Sequence, residues 1–335
     1  MLKGKILFDT HGRPFYWGYG DYAAHIDQLA FRRGWRQALL RNLLKAQAFW
    51  PFSPKVKSSP LHAVAAVLPT LTSGTVRSAL FHDTSWYKEA RAIGMLRTAE
   101  TTYFVRVHTQ PEECLFEERQ ARFAAEMFSG SFIIAPILHS RSNCLMYKAV
   151  KQNRPIAPED HIEERLLHLI KMFIDRHAMT KNLSESIPFG IFALCFSSGK
   201  EALGKKIREW IDRSNRGISH IPVHGDMTPW NMFVTDEEKI ALIDYERAGW
   251  HVPFYDVFHY VLQPEALKRN DKALKDILYR KPWYHHQAMK HLLTLYLIDQ
   301  FYLDLGDHKI RGFDHPSLRA LIDVKAAWLD ELLND

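Results

Sequence analysis

Four residues about two-thirds of the way along the chain have the types and the spacing to move a phosphoryl group. His224, Asp226 and Asn231 stand in the stretch IPVHGDMTPWNMFV as an H-x-D-x-x-x-x-N pattern. Asp244 follows thirteen residues after Asn231, at the end of the apolar run Ile240-Ala-Leu-Ile243. Transfer of a γ-phosphoryl group to a hydroxyl needs a base at the attacking oxygen. It also needs hard oxygen ligands for the magnesium ions that neutralise the phosphates. Asp226 is the candidate base, Asn231 and Asp244 are the candidate magnesium ligands, and His224 would brace the loop. Gly225 allows the tight backbone turn that presents the Asp226 carboxylate. The bland alternative is a surface turn at His-Gly-Asp and a buried strand closed by an acid. Three residues at one fixed spacing, with Asp244 added after a strand, make that alternative the poorer account.

Other chemistries find less in the sequence. Eighteen histidines include no H-E-x-x-H, and no cysteine partner suggests zinc. Cys114, Cys144 and Cys195 are an odd, scattered set without a C-x-x-C pair, so they read as buried small hydrophobes. There is no G-x-S-x-G elbow, and Gly190 and Gly199 are too isolated for a dinucleotide-binding fingerprint.

The chain around this loop has 335 residues, 47% hydrophobic and 24% charged, which is the composition of a folded globular protein. That length exceeds what one hydrophobic core usually serves, so two lobes are expected. No apolar run reaches the roughly 18 residues of a membrane-spanning helix, and the N-terminus has no signal-peptide pattern, so a cytoplasmic protein is expected. Strands are predicted over 62–69, 75–82, 101–108, 132–139 and 143–150, with helices over 84–98 and 111–128 between them. From 157 onward the pattern turns to long helices over 160–177, 201–215, 254–278, 283–305 and 316–335. A sheet-rich half therefore precedes a helix-rich half.

The loop resembles that of the aminoglycoside phosphotransferase and choline kinase group, small-molecule relatives of the protein kinases. Their catalytic loop reads H-G-D-x-x-x-x-N and their metal segment I-D-W-E or similar; here these are HGDMTPWN and IDYE. With Pro253-Phe-Tyr-Asp256-Val-Phe-His, the stretch looks most like members from bacterial surface-polysaccharide gene clusters. The strong likeness covers His220 to Tyr260, and the order of elements extends it to about residues 61–310. The resemblance implies an α+β, bilobal, protein-kinase-like fold. Residues 1–60 would form an N-terminal extension, 61–148 a sheet-rich N-lobe and 149–335 a helical C-lobe. It implies ATP and Mg²⁺ as cofactors, Asp256 steadying the catalytic loop, and a hinge at Leu145-Met-Tyr-Lys-Ala149, where Tyr147 and Ala149 would meet the nucleotide.

Two features depart from the family. Its phosphate-binding lysine is replaced by Arg106 in TTYFVRVHT, which keeps the charge but is bulkier and forked. Leu71-Thr-Ser-Gly74-Thr supplies one glycine where protein kinases place three. The partner of Arg106 should come from the helix over 111–128. On a wheel with Phe116 at the centre of the core face, Glu118 points outward and Glu117 lies at the boundary, with Glu113 as the alternative.

The chain is accordingly expected to be an ATP-dependent phosphotransferase acting on a hydroxyl of a small molecule. A sugar or glycan is favoured because residues 263–335 balance eleven basic against eleven acidic residues and carry Trp283, Tyr284, Tyr296, Phe301 and Tyr302. An aminoglycoside-type antibiotic kinase and a nucleotide- or partner-binding pseudokinase are the alternatives. Residues 1–60 hold ten Lys or Arg against three Asp, leaving the other 275 residues at −1 of the net +6. They read as a packing arm, or else as a peripheral membrane contact, and not as a nucleic-acid site.

Overall fold

The computed structural model describes residues 5–8, 14–20, 76–83, 92–108, 110–141, 143–150, 152–214, 217–266, 271–309 and 316–334. Most of the basic residues 1–60, the predicted strand over 62–69 and the glycine-poor loop at 71–75 lie outside them. The chain divides into two units, 1–125 with 135–151, and 126–134 with 152–335.

The first unit is built on a seven-stranded antiparallel sheet. Its strands are β1 (Lys5–Phe8), β2 (Pro14–Gly20), β3 (Ser78–Asp83), β4 (Ala92–Arg97), β5 (Thr102–Val107), β7 (Ile137–Arg141) and β8 (Cys144–Lys148). They run in the order β1-β2-β3-β4-β5-β8-β7. Helix α1 (Pro111–Phe128) follows β5. The predicted helix over 84–98 gives way in its second half to β4, whose residues alternate between buried and half-buried positions as a strand's do. Gly94 shows why this strand holds. A Cβ there would lie 2.3 Å from the Leu80 carbonyl and 2.6 Å from the Phe81 ring, so only glycine lets β3 and β4 close up.

The predicted strand over 132–139 is two strands in different sheets. β6 (Ile133–Ile134) pairs in parallel with β13 (Ile240–Leu242) of the second unit, and β7 joins the first unit's sheet. Ala135-Pro136 separates them, because proline has no N–H to donate to a ladder.

In the second unit β6 and β13 continue through β12 (Met232–Thr235) to β9 (Gln152–Pro155). A smaller sheet orders β10 (Met179–Asn182), β11 (Gly217–Val223) and β14 (Gly249–His251). The helices are α2 (Ile162–His177), α3 (Ile191–Ser197), α4 (Glu201–Arg213), α5 (Tyr255–Ala266), α6 (Asp271–Tyr279), α7 (His286–Lys309) and α8 (Pro316–Asn334). α5 and α6 both fall on the predicted helix over 254–278, whose residues 267–270 lie outside the described ones.

Why α2 forms is plain from its residues. Glu163 and Glu164 sit in the first turn and Arg176 and His177 in the last, complementing the helix dipole, while Ile162, Leu166, Leu169, Ile170 and Phe173 bury one face. Tyr255, Phe258, Tyr296 and Phe301, from α5 and α7, are among the largest fully buried side chains, and the Tyr255 and Tyr296 rings meet edge to face at 5.1 Å. The three cysteines are buried and unbridged, and burial pushes their thiols up to about 11, 12 and 11 for Cys114, Cys144 and Cys195. Among the described residues no helix is long and apolar enough to cross a membrane.

Candidate active site

In the first unit Arg106, on β5, donates to Glu117 Oε1 at 2.5 Å, both side chains being buried. The Tyr147 hydroxyl approaches the same oxygen at 3.4 Å, and His108 Nε2 lies 2.9 Å from Glu117 Oε2. Glu117 is the glutamate that the helical wheel selected, although the wheel was wrongly centred. Phe116 is 48% exposed, and the buried residues of α1 are Cys114, Glu117, Ala121, Ala124 and Phe128. The true core face lies about 120° round from Phe116, with Glu117 inside it instead of at its edge. Two alanines and a cysteine occupy much of this face, so side-chain size misled.

Tyr147 turns its side chain into this cluster. The Ala149 N–H is donated to the Thr102 carbonyl at 3.0 Å within the sheet. A hinge contact to adenine from Ala149 would therefore fall to its carbonyl and not its amide.

In the second unit the loop from His224 to Asn231 connects β11 to β12 and is held from three directions. Asp256, in the first turn of α5, accepts the backbone N–H groups of His224 at 2.7 Å and Gly225 at 2.9 Å, one on each carboxylate oxygen. Gly225 has φ +82°, and a Cβ there would meet the Arg247 carbonyl at 2.2 Å. A side chain is excluded both by the backbone conformation and by the space. His224 is fully buried, and its Nε2 lies 3.1 Å from the Ile243 carbonyl. A carbonyl only accepts, so Nε2 carries the proton and Nδ1 is left to accept the Asp226 N–H at 3.3 Å. Burial lowers the pKa of this histidine, keeping the neutral ring the geometry requires.

The same residue, Ile243, donates its N–H to the Asn231 carbonyl at 3.0 Å. That bond extends the pairing of β12 with β13, in which Met232 faces Leu242, and it seats Asp244 beside Asn231 along the chain. Asp244 then takes a left-handed backbone, φ +68°, which asparagine and aspartate tolerate better than most residues. Asn231 Nδ2 lies 2.9 Å from both the backbone oxygen and Oδ2 of Asp226. Two acceptors fix this atom as the amide nitrogen, so Oδ1 is the oxygen Asn231 has for a cation. An amide oxygen and a carboxylate are hard donors that suit Mg²⁺.

Sequence reasoning missed two neighbours of Asp226. His259 Nε2 lies 2.8 Å from Asp226 Oδ1, and Arg247 sits within the field of the same carboxylate. Burial pushes the Asp226 carboxyl up, but the hydrogen bond from His259 and the nearby Arg247 guanidinium outweigh it and hold the group at about 2. Burial, helped by the neighbouring Asp226 charge, pushes Asp256 up to about 7, against the pull of its two backbone donors. The signal for His259 was its place three residues after Asp256, on the same face of α5.

Asp256→Ala should strand two buried N–H groups, each worth about 1–3 kcal/mol when left unpaired. Urea unfolding should therefore show a loss of at least about 2 kcal/mol with an unchanged m-value. A loss below about 0.5 kcal/mol would mean that Asp256 does not hold the loop.

Residues 196–280, which contain the whole loop and Asp256, match the sequence model of the phosphotransferase enzyme family, APH. Solved structures share the fold at low identity. A choline kinase from Streptococcus pneumoniae is 12% identical with a TM-score of 0.51, covering 82% of this chain and 98% of that one. The same protein in complex with AMP gives 13% and 0.50, covering 81% and 98%. An ethanolamine kinase from Plasmodium vivax is 11% identical with a TM-score of 0.50, covering 92% and 96%. No curated protein matches the chain. The fold is α+β and protein-kinase-like, and the loop lies inside the segment that matches the phosphotransferase family model. Residues 196–280 carry the sequence signature of the APH phosphotransferase family, and the fold is that of the aminoglycoside phosphotransferase and choline kinase-like group.

Proposed function

We propose that the chain transfers the γ-phosphoryl group of ATP to a hydroxyl of a sugar or glycan. One observation carries this reading: the Asp226 carboxylate and the two hard-oxygen candidates, Asn231 and Asp244, are fixed to one another by Asn231 Nδ2 and by the Ile243 N–H. Asn231 Oδ1 and Asp244 would hold Mg²⁺, which when bound neutralises charge on the transferring phosphoryl group. Asp226 orients the acceptor hydroxyl and takes its proton. Held at about 2, it is a weak base, which suits a reaction in which bonding to the incoming oxygen lags and the proton leaves late. Arg106, braced by Glu117, is the cation proposed for the α- and β-phosphates.

The acceptor reading is supported by a cavity of about 260 Å³ in the second unit, lined in part by Lys181, Trp250, His251, Tyr255, Asp299 and Tyr302. Tyr255 donates to Asp299 and packs on Tyr296, so one wall is rigid. Aromatic faces with both an acid and a base suit a polyhydroxylated ring, whereas a polycationic antibiotic calls for a strongly acidic wall. A panel of neutral sugars and aminoglycosides, read by mass spectrometry for the gain of one phosphate, tests the choice. The neutral sugars should be phosphorylated, and Tyr302→Ala should raise the acceptor KM about 2- to 10-fold, since one stacked ring contributes about 0.5–1.5 kcal/mol, while leaving Mg·ATP affinity alone. Phosphorylation of aminoglycosides alone would overturn the sugar reading.

A further inference from the structure

His259 is wholly buried on α5 and takes no part in ligating metal or nucleotide as assigned above, yet it touches the residue at the centre of the chemistry. Its Nε2 is 2.8 Å from Asp226 Oδ1, and its Nδ1 is 3.2 Å from the Tyr296 hydroxyl on α7. A carboxylate can only accept, so Nε2 carries the ring proton and Nδ1 accepts from Tyr296. Burial lowers the pKa of His259 and raises that of Tyr296, so the ring stays neutral and the phenol keeps the proton it donates. The two ring nitrogens thus admit one tautomer and one ring orientation. The other oxygen of Asp226, Oδ2, is held by Asn231 Nδ2.

We infer that His259 is a positioning residue for phosphoryl transfer, locking the Asp226 carboxylate in rotation through a Tyr296-to-His259-to-Asp226 chain of hydrogen bonds. The inference rests on the phosphotransferase function proposed above. Oδ1 and Oδ2 each receive one fixed donor, so the lone pairs that remain for an acceptor hydroxyl point in set directions. Without His259, Asn231 alone restrains the carboxylate, which can then turn about its bond to Cβ. A misplacement of about 1 Å in a reacting group costs about a hundredfold in rate. The chain also reaches the proposed acceptor cavity, because Tyr296 packs edge-on against Tyr255, which lines it.

The test uses the full chain with Mg·ATP and water as the acceptor, reading ADP formation. His259→Phe keeps an aromatic ring but has no donor, while His259→Gln can place an amide N–H near the Nε2 position. His259→Phe should slow turnover about 10- to 100-fold at unchanged KM for Mg·ATP, as loss of an orienting partner typically does. His259→Gln should recover most of that loss, and Tyr296→Phe should show a smaller one. Added to Asp226→Asn, His259→Phe should slow the reaction no further, because its effect passes through the carboxylate. In ¹⁵N-histidine spectra of the unmodified chain, an imidazole N–H resonance should vanish in His259→Phe and move in Asp226→Asn, which keeps the test alive if His259→Phe does not fold.

Unchanged turnover in His259→Phe beside a slowed Asp226→Asn would overturn the positioning role and leave the phosphotransferase reading intact. So would equal rates for the Phe and Gln variants, or a further fall in the double variant. A chain that forms ADP neither with water nor with any of the sugar panel would overturn the phosphotransferase reading, and this inference with it.

Discussion

Asp226→Asn should abolish most transfer while leaving Mg·ATP binding intact. Asparagine keeps the size of the side chain and can still accept at one oxygen, but it cannot take the proton of an attacking hydroxyl. Loss of a general base typically costs about 10²- to 10⁴-fold. The substitution also meets two donors, His259 Nε2 and Asn231 Nδ2, that both expect a carboxylate oxygen. One of them must then face an NH₂ group, so the upper part of that range is expected. Calorimetry with Mg·ATP should give a dissociation constant within about threefold of the unmodified chain, since a threefold change is only about 0.65 kcal/mol. A variant that matched the unmodified turnover on an acceptor of that chain would show that Asp226 is not the base.

The low pKa of this group has its own consequence for pH. Held at about 2, Asp226 titrates below the ordinary aspartate value of about 3.9. A depressed folded-state value means that the stability it lends is present above about pH 4 and lost as the pH falls towards 2. Thermal melting of Asp226→Asn should therefore differ from that of the unmodified chain at pH 7 and converge with it towards pH 2.

Asp244→Asn should remove the magnesium dependence of ATP binding. Asparagine keeps the left-handed backbone at φ +68° that alanine would strain, so the change isolates the charge. A metal ion stabilises phosphate charge by several kcal/mol, and each 1.4 kcal/mol is tenfold in affinity. Affinity for Mg·ATP should fall about 100-fold or more, while affinity for ATP in EDTA should be the same for both chains. Equal Mg·ATP affinity would remove Asp244 from the metal site.

The loop was legible in the sequence because its chemistry is local. His224, Asp226 and Asn231 lie within eight residues, and the strand that carries Asp244 pairs with the one that follows Asn231. The long α2, α4 and α8 were legible for the same reason, each burying a face at helical spacing. What was hidden depends on approach in space. The 84–98 segment has helical texture, but β4 is decided by the neighbours on either side of it and by the room that Gly94 leaves. Glu117 could be named from its neighbourhood, yet the direction of the α1 core could not, since three of the residues it buries, Cys114, Ala121 and Ala124, are small while Leu115 and Phe116 are exposed. His259 and Tyr296 are 37 residues apart, and only the packing of α5 on α7 turns them into one hydrogen-bonded chain with Asp226. The order of a short catalytic loop can be read from spacing, whereas the residues that hold its carboxylate still cannot.

The central claim is that this chain moves the γ-phosphoryl group of Mg·ATP onto an acceptor hydroxyl through Asp226. It is tested most directly by incubating the purified chain with ATP labelled with ¹⁸O on its γ-phosphoryl oxygens and a panel of sugars, and following the label by mass spectrometry. The account predicts a sugar carrying one labelled phosphoryl group with the unmodified chain, and little or none with Asp226→Asn at the same occupancy by Mg·ATP. A chain that binds Mg·ATP yet passes label neither to a sugar nor to water would be a nucleotide-binding protein of this fold and not an enzyme.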